Sequence, residues 1–319
     1  MTSRRVKWLA ALALGGIAMI GGLYGGLAWS AGEPAPDRDF FKQQTRRPLI
    51  IAHRGGAGLW PENTMFAFER ARHSGVDVIE TDVHETADGV LIVIHDPTLE
   101  RTTDGTGRVN AMTLAEIKKL DAAFRFSTDG GKTFPLRGSG ITIPTLQEVF
   151  SAFPEMRFNI EPKQNSPSPA KLLCRVIREH GMANRVVVGS FRQSTLDEFR
   201  RECPEVATSG SPTEVSKFLA MYKAGLANSY SPTMQALQVP EYAGGLQVLT
   251  EGFVAAAHAR NLQVHAWTVN ETSDMRRLLE LGVDGIMTDY PDRLMSLLGH
   301  ASNAAPQPSI TNQNLNSER

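Results

Sequence analysis

The sequence predicts an α/β protein whose folded part is a (β/α)8 TIM barrel. Short apolar runs typical of buried strands alternate with helical stretches, which implies parallel pairing of the strands. Eight such runs over about 250 residues suit a closed barrel better than an open sheet. The runs cover residues 48–52, 76–83, 90–95, 157–161, 185–190, 206–209, 263–269 and 285–288.

Helical stretches lie between most of these runs. The first follows Asn63 or Thr64, either of which suits the N-cap position, and it ends at Gly75. The predicted helices cover residues 65–73, 169–180, 194–201, 212–223, 251–260 and 271–281.

One interval interrupts the alternation. Residues 97–144 are rich in turn-forming residues and contain one short predicted helix at 113–120, which is too much chain for an ordinary loop. We therefore expect a small inserted subdomain on the C-terminal side of the third strand. In a barrel, that side carries the active site.

An apolar segment precedes the barrel. No residue between Lys7 and Glu33 is charged, and residues 8–29 reach the length of about 20 residues that a helix needs to cross a bilayer. The basic residues Arg4, Arg5 and Lys7 keep the N-terminus cytoplasmic by the positive-inside rule. We expect a membrane-anchored protein with its catalytic domain outside the cytoplasm, in a periplasmic or extracellular location.

A cleavable signal peptide is the alternative, with cleavage near Ala28-Trp29-Ser30 and secretion of the domain. The C-terminal residues are polar and are expected to be disordered. The predicted organisation is an anchor or signal segment at 1–32, a tether at 33–47, the barrel at 48–300 with its insertion at 97–144, and a tail at 301–319.

Composition excludes several classes of function. The chain has 319 residues, of which 41% are hydrophobic and 21% charged, so it is neither intrinsically disordered nor a polytopic membrane protein. Its 33 basic residues balance 34 acidic ones. No general basic field therefore points to nucleic acid as a partner.

Polar residues follow the apolar part of the first four runs. His53 and Arg54 follow the first, His95 the third, and Lys163 the fourth. Burying so many charges at neighbouring strand ends is unfavourable without mutual compensation. We therefore expect a binding site for both a cation and an anion.

The acidic residues of the second and fourth runs are the candidate cation ligands. Glu80 and Asp82 are two apart on a strand and share a face, and Glu161 can point into the same barrel mouth. Three carboxylates without a thiolate suit one divalent cation, Mg²⁺ or Ca²⁺, rather than Zn²⁺. His84 is a further candidate ligand, although a solvated or supporting role fits it better.

The basic residues complete the chemistry. Arg54 and Lys163 suit a phosphate group beside the cation. His53 and His95 can transfer protons near neutral pH, one to a leaving oxygen and one from an attacking hydroxyl or water. The set indicates metal-assisted phosphoryl transfer.

In order and spacing, the motifs resemble the glycerophosphodiester phosphodiesterase family over about residues 49–298. The matching motifs are His53-Arg-Gly55, Pro61-Glu-Asn-Thr64, Glu80-Thr-Asp82, Asp88-Gly89, His95-Asp96, Arg101-Thr-Thr103 with Gly105 and Gly107, and Glu161-Pro-Lys163.

The resemblance implies a barrel with a small insertion after the third strand. It also implies that His53 and His95 are the acid and base, and that Arg54 and Lys163 contact phosphate. Trp267 is similar to an aromatic residue that lines the family's alcohol pocket. The implied ligands of the divalent cation are Glu80, Asp82 and Glu161.

The expected function is metal-dependent hydrolysis of a glycerophosphodiester to glycerol 3-phosphate and an alcohol. A lysophospholipase D acting on lysophospholipids at the membrane surface is the enzymatic alternative, and a phosphodiester-binding scaffold is the non-enzymatic one. An exported domain also permits a structural disulfide between Cys174 and Cys203, which sequence alone does not establish.

Overall fold

A parallel β-barrel forms the centre of the protein. The computed structural model of the chain describes residues 25–26, 30–42 and 48–300. The strands are β1 (Leu49–Ala52), β2 (Val78–Glu85), β3 (Leu91–Val93), β4 (Arg157–Pro162), β5 (Val186–Val188), β6 (Ala207–Thr208), β7 (Ala236–Val239), β8 (Tyr242–Ala243), β9 (Leu246–Gln247), β10 (Gln263–Ala266) and β11 (Gly285–Thr288).

Eight of these strands make up the barrel. Their spatial order is β6-β5-β4-β2-β1-β11-β10-β7, and every pair within this order is parallel. A parallel bridge between Ser209 and Ala236 joins the two ends of the sheet. The predicted TIM barrel is therefore present.

The third predicted strand was assigned wrongly. β3 pairs with β2 in the antiparallel direction and lies outside the barrel order. The turn between them is short: the backbone N–H of Thr86 donates to Val90, and Gly89 has a positive φ of 78°. Such a turn makes a hairpin, because a parallel neighbour needs a crossover of a dozen or more residues. The insertion therefore follows the second barrel strand and this hairpin.

The barrel strand that sequence reasoning missed is β7. It is short, it contains a glutamine, and Pro240 follows it directly, so its sequence gives only a weak strand signal. Its pairing with β10 identifies it as a barrel strand.

Most helices agree with prediction, whereas α1, α4 and α10 were not predicted. The Thr64 hydroxyl caps α2 by accepting from the N–H of Ala67, and Ser211 and Glu214 form a capping box at α7. The helices are α1 (Asp39–Lys42), α2 (Met65–Ser74), α3 (Leu114–Ile117), α4 (Leu146–Ala152), α5 (Ala170–Glu179), α6 (Gln193–Glu202), α7 (Pro212–Lys223), α8 (Glu251–His258), α9 (Thr272–Glu280) and α10 (Pro291–Leu297).

Two apolar clusters stabilise the barrel from its two sides. Alternate residues of a strand point to opposite faces, so Ile50 packs in the large cluster with the helices, while Leu49 and Ile51 belong to a smaller cluster inside the barrel. Beyond this inner cluster, at the C-terminal ends of the strands, polar side chains line the mouth of the barrel.

The inner cluster includes a residue from outside the barrel. Phe40 of α1 is 1% exposed and packs with Leu49 at the N-terminal end of β1, opposite the mouth. Arg260 and Asn261 also donate hydrogen bonds to the carbonyl oxygens of Gly32 and Ala35. Residues 30–42, which fall largely within the predicted tether, therefore dock on the floor of the barrel.

Cys174 and Cys203 form a disulfide between α5 and the residue that follows α6. Their Cα atoms are 5.6 Å apart, within the usual range for a disulfide. Glu205 lies close to both sulfur atoms, but bonded sulfurs offer no thiolate to a metal.

The insertion has a small core of its own. It contains Leu99, Val109 and Ile117, and it packs against Ile92 of β3 and the neighbouring Ile94. The predicted N-terminal membrane helix and the predicted C-terminal disordered tail lie outside the described residues, apart from the dipeptide 25–26. Within the described ranges, none of the helices has the length and apolar character needed to cross a bilayer.

Candidate active site

The mouth of the barrel holds every site residue predicted from the sequence. One cavity of about 430 Å³ opens there. Its lining includes His53, Arg54, Glu80, Asp82, His95, Glu161, Lys163 and Trp267.

A tight turn at the end of β1 positions the first two of these residues. His53 begins a 3-10 turn, and Arg54 adopts a left-handed conformation with φ of 51°. Gly55 follows with φ of 82°, and a Cβ atom there would lie 2.7 Å from the Phe68 ring. Glycine is therefore required at this position if the turn is to present His53 and Arg54 to the cavity.

His53 is held by a carboxylate that sequence reasoning missed. Its Nδ1 lies 2.7 Å from Oδ1 of Asp289, which directly follows β11. Asn270 donates to the other oxygen of Asp289 at 2.7 Å and accepts from its backbone N–H. Several of the predicted site residues were recognised because they are polar and follow a strand. Asp289 also follows a strand, so the same sequence pattern could have identified it.

His95 has the same arrangement. Its Nδ1 lies 2.6 Å from Oδ1 of Asp96. Burial opposes ionisation of Asp96, but hydrogen bonds from Arg101 and His95 lower its pKa to about 2. With Nδ1 bonded to a carboxylate in both histidines, Nε2 is the nitrogen left for proton transfer.

Arg101 links the His95 side of the site to the Arg54 side. Its guanidinium donates to Asp96 at 2.5 Å and to both oxygens of Glu62 at 2.7 and 2.8 Å. Glu62 in turn accepts from Arg54 at 2.9 Å. Arg101, a residue of the insertion, thus connects the carboxylate partner of His95 with the carboxylate partner of Arg54. The sequence analysis missed this ion-pair network.

The three predicted cation ligands lie on neighbouring strands. Asp82 of β2 and Glu161 of β4 are direct partners in the sheet register, and Glu80 precedes Asp82 by two residues on the same face. Lys163 Nζ lies 2.8 Å from Glu161 and 3.2 Å from Asp82. The carboxylate oxygens of the three residues are not all within 4.8 Å of one another in the described structure.

The pKa shifts of Glu80 and Glu161 indicate that the basic side chains of the site do not supply enough positive charge to balance the buried carboxylates. Burial, reinforced by Asp82, raises the pKa of Glu80 to about 7. Burial also raises the pKa of Glu161 in spite of Lys163. Asp82 is buried too, but Lys163 and Arg54 lower its pKa. An oxygen-only donor set in which two of the three acids, Glu80 and Glu161, resist ionisation fits a divalent cation.

The two histidines differ in their surroundings. Burial lowers the pKa of His95, and the nearby Arg54 and Lys163 add to that effect. Burial acts on His53 in the same direction, but Glu80 and the hydrogen bond to Asp289 outweigh it and raise its pKa. The site therefore contains two imidazoles with opposite tendencies to bind a proton.

Two other predicted positions have supporting contacts. His84 is buried, and its Nε2 lies 3.1 Å from the carbonyl oxygen of His95, so it supports the His95 backbone instead of being solvated. Trp267 packs edge to face with Phe191, their ring centroids 5.6 Å apart. The two rings form an aromatic wall at one side of the cavity.

A (β/α)8 barrel with two histidines, three carboxylates and the basic side chains of Arg54 and Lys163 at its mouth defines the class of phosphoryl-transfer enzymes. A model of the glycerophosphoryl diester phosphodiesterase family matches residues 53–293. The chain belongs to this family. Its activity is the hydrolysis of glycerophosphodiesters, and the resemblance predicted from the motifs is confirmed.

Individual relatives agree with this assignment. A glycerophosphodiester phosphodiesterase of Caldanaerobacter subterraneus subsp. tengcongensis is 37% identical over 260 residues, covering 79% of this chain and 98% of that protein. A lysophospholipase D of Mus musculus is 29% identical, covering 82% and 89%. An Oleispira antarctica phosphodiesterase, solved with its product sn-glycerol-3-phosphate, has a TM-score of 0.63 at 26% identity, covering 79% and 97%.

Proposed function

We propose that the enzyme splits glycerophosphodiesters into glycerol 3-phosphate and an alcohol, with His53 and His95 as its proton-transfer residues. The observation that carries this proposal is the matched arrangement of the two imidazoles. Each has Nδ1 bonded to a carboxylate, at 2.7 Å for His53 and 2.6 Å for His95, and both line one cavity. One imidazole takes a proton from the attacking hydroxyl or water, and the other gives a proton to the leaving oxygen.

The cations of the site bind the phosphate. Arg54 presents a planar guanidinium and Lys163 a compact ammonium group, and both suit phosphate oxygens. Lys163 is half-buried between Asp82 and Glu161, so its ammonium group is already partly desolvated before substrate arrives.

Glu80, Asp82 and Glu161 would hold one divalent cation, Mg²⁺ or Ca²⁺. When bound, the cation supplies positive charge that stabilises the phosphate oxygens during transfer. The raised pKa of Glu80, caused by burial and the neighbouring Asp82, supports a cation at this position. Asn63 donates to Asp82 at 3.0 Å and keeps that carboxylate oriented.

Turnover tests this function directly. The purified protein is expected to release glycerol 3-phosphate from glycerophosphocholine in the presence of Mg²⁺ or Ca²⁺, and a chelator should stop the release. His53→Ala and His95→Ala should each remove activity, whereas His73→Ala, an exposed position on α2, should not. Activity that persists with chelator would contradict the cation assignment.

The first chemical step has two forms. Either water attacks phosphorus directly, or a neighbouring substrate hydroxyl attacks and forms a cyclic phosphate that water then opens. Phosphorus NMR of the early products distinguishes them.

A lysophospholipase D activity is the second candidate function. Val215, Leu219 and Val248 line the same cavity beside Trp267, giving it an apolar half. Phe191, Tyr242 and Leu246 are the large apolar side chains identified as exposed in the described ranges. This apolar half suits an acyl chain, and turnover of lysophosphatidylcholine at rates similar to glycerophosphocholine would support that reading.

We further propose a catalytic domain located outside the cytoplasm and anchored by residues 8–29. The charge pattern of the N-terminus supports this location, and the buried disulfide is typical of oxidising compartments. Fractionation of cells expressing the full chain tests it. Recovery of the enzyme in the cytoplasm with free thiols would contradict it.

A further inference from the structure

A second cavity adjoins the active site. It has a volume of about 500 Å³, and His95 and Lys163 line both cavities. The two ester substituents of a phosphodiester point away from the phosphorus atom in different directions. A phosphate bound at His95 and Lys163 can therefore send one substituent into each cavity.

The chemistry of the two cavities differs. The first has an apolar half with the aromatic wall of Trp267 and Phe191. The second is lined by amide and hydroxyl side chains, including Asn110 and Gln164. Its only rings within residues 25–26, 30–42 and 48–300 are the imidazoles of His84 and His95 and the pyrrolidine of Pro97, and none of these is a benzene or indole ring. It thus lacks the aromatic faces that bind quaternary ammonium groups well.

Positive charge dominates the second cavity. Arg108 of the insertion and Arg192 of the loop after β5 join Lys163 in its lining. Among the residues that the structure describes, no carboxylate lines this cavity. Both arginines are exposed, and within the described part of the chain neither guanidinium has a carboxylate within 4 Å. Arg108 contacts the side-chain oxygen of Asn110 at 3.4 Å.

We propose that this cavity is a subsite for a negatively charged alcohol substituent of the substrate. The inference rests on the proposed diester hydrolysis and specifies the class of substrate, namely glycerophosphodiesters with an anionic alcohol. Unpaired guanidinium groups bind phosphate and carboxylate groups through charge-assisted hydrogen bonds. The alcohol is the part of a deacylated glycerophosphodiester that can carry such a charge. An anionic alcohol thus occupies this cavity instead of the pocket beside Trp267 that the family resemblance implies for the alcohol.

The test uses two substrates that differ by one anionic group: glycerophosphoinositol and glycerophosphoinositol 4-phosphate. The parent enzyme is expected to have the higher kcat/KM for the 4-phosphate. In the double variant Arg108→Gln/Arg192→Gln, the ratio of the two kcat/KM values should fall about tenfold, equivalent to about 1.4 kcal/mol. Arg276→Gln, an exposed position on α9, is the matched control and should leave the ratio unchanged.

Charge reversal gives a second measurement. Arg192→Glu should shift the preference toward glycerophosphocholine, and the advantage of the 4-phosphate should shrink at high ionic strength. An unchanged ratio in both arginine variants, with normal turnover of both diesters, would refute the subsite and leave the hydrolase function intact. A parent enzyme that turns over no glycerophosphodiester would contradict both.

Discussion

The buried carboxyl group of Glu80 makes the cation-free enzyme sensitive to pH. Its pKa in the folded state is about 7, because burial and Asp82 raise it from 4.5. Between these pH values the folded chain binds more protons than the unfolded chain. The free energy of unfolding therefore falls as pH rises through this window, by about 3 kcal/mol for a shift of this size at ~1.4 kcal/mol per pH unit.

Replacing Glu80 by glutamine removes the buried charge but keeps an oxygen that can accept from the N–H of Arg54. We expect Glu80→Gln to raise the unfolding free energy by about 3 kcal/mol at pH 8 and to change it little at pH 4.5. Urea denaturation in the presence of chelator, at both pH values, measures this difference.

The same experiment with a divalent cation tests the ligand role. Mg²⁺ or Ca²⁺ should stabilise the parent protein at pH 8, since binding to the folded state adds to its stability. Glu80→Gln should lose most of that gain, whereas Glu280→Gln, exposed on α9, should behave as the parent. Destabilisation by Glu80→Gln at pH 8, or equal stabilisation at both pH values, would refute the reasoning.

Three further variants probe the supports of the site and the barrel floor. Asp289→Asn should lower kcat about a hundredfold and alter the pH profile of kcat, because acid–base catalysis accelerates a reaction roughly 10²–10⁴-fold. An unchanged pH profile would exclude a role of Asp289 in positioning His53. Arg101→Lys keeps the positive charge, but a lysine cannot donate to Asp96 and Glu62 together. Steady-state kinetics should therefore show a lower kcat and a higher KM. A change in KM alone would contradict the link between Arg101 and His95. Phe40→Ala should cost about 3–5 kcal/mol in urea denaturation, and more than Phe41→Ala, since Phe40 is the fully buried ring; equal costs would contradict the barrel-floor packing.

Much of the architecture is predictable from local patterns. The alternation of apolar runs and helices identifies a barrel, and the predicted cap at Asn63 or Thr64 marks the start of α2 to within one residue. The prediction failed where local pattern is ambiguous. β3 has the apolar character of a barrel strand, and only its antiparallel pairing with β2 removes it from the barrel.

The site residues were accessible to sequence reasoning for a geometric reason. Parallel strands of a barrel end on one face, so polar residues that follow different strands converge there. This explains why residues as distant as His53 and Lys163 line the same cavity. The roles assigned to these residues remain predictions that the variants above test.

The sequence by itself determined the fold class, the family and the residue types available for phosphoryl transfer, because these depend on periodicity and on motif order. The tertiary structure decided which groups support them: Asp289 beside His53, Arg101 between Asp96 and Glu62, and Phe40 beneath the barrel. These partners are separated in sequence from the groups they contact by as many as 236 residues. Side-chain contacts over such separations arise only when the strands close into a barrel.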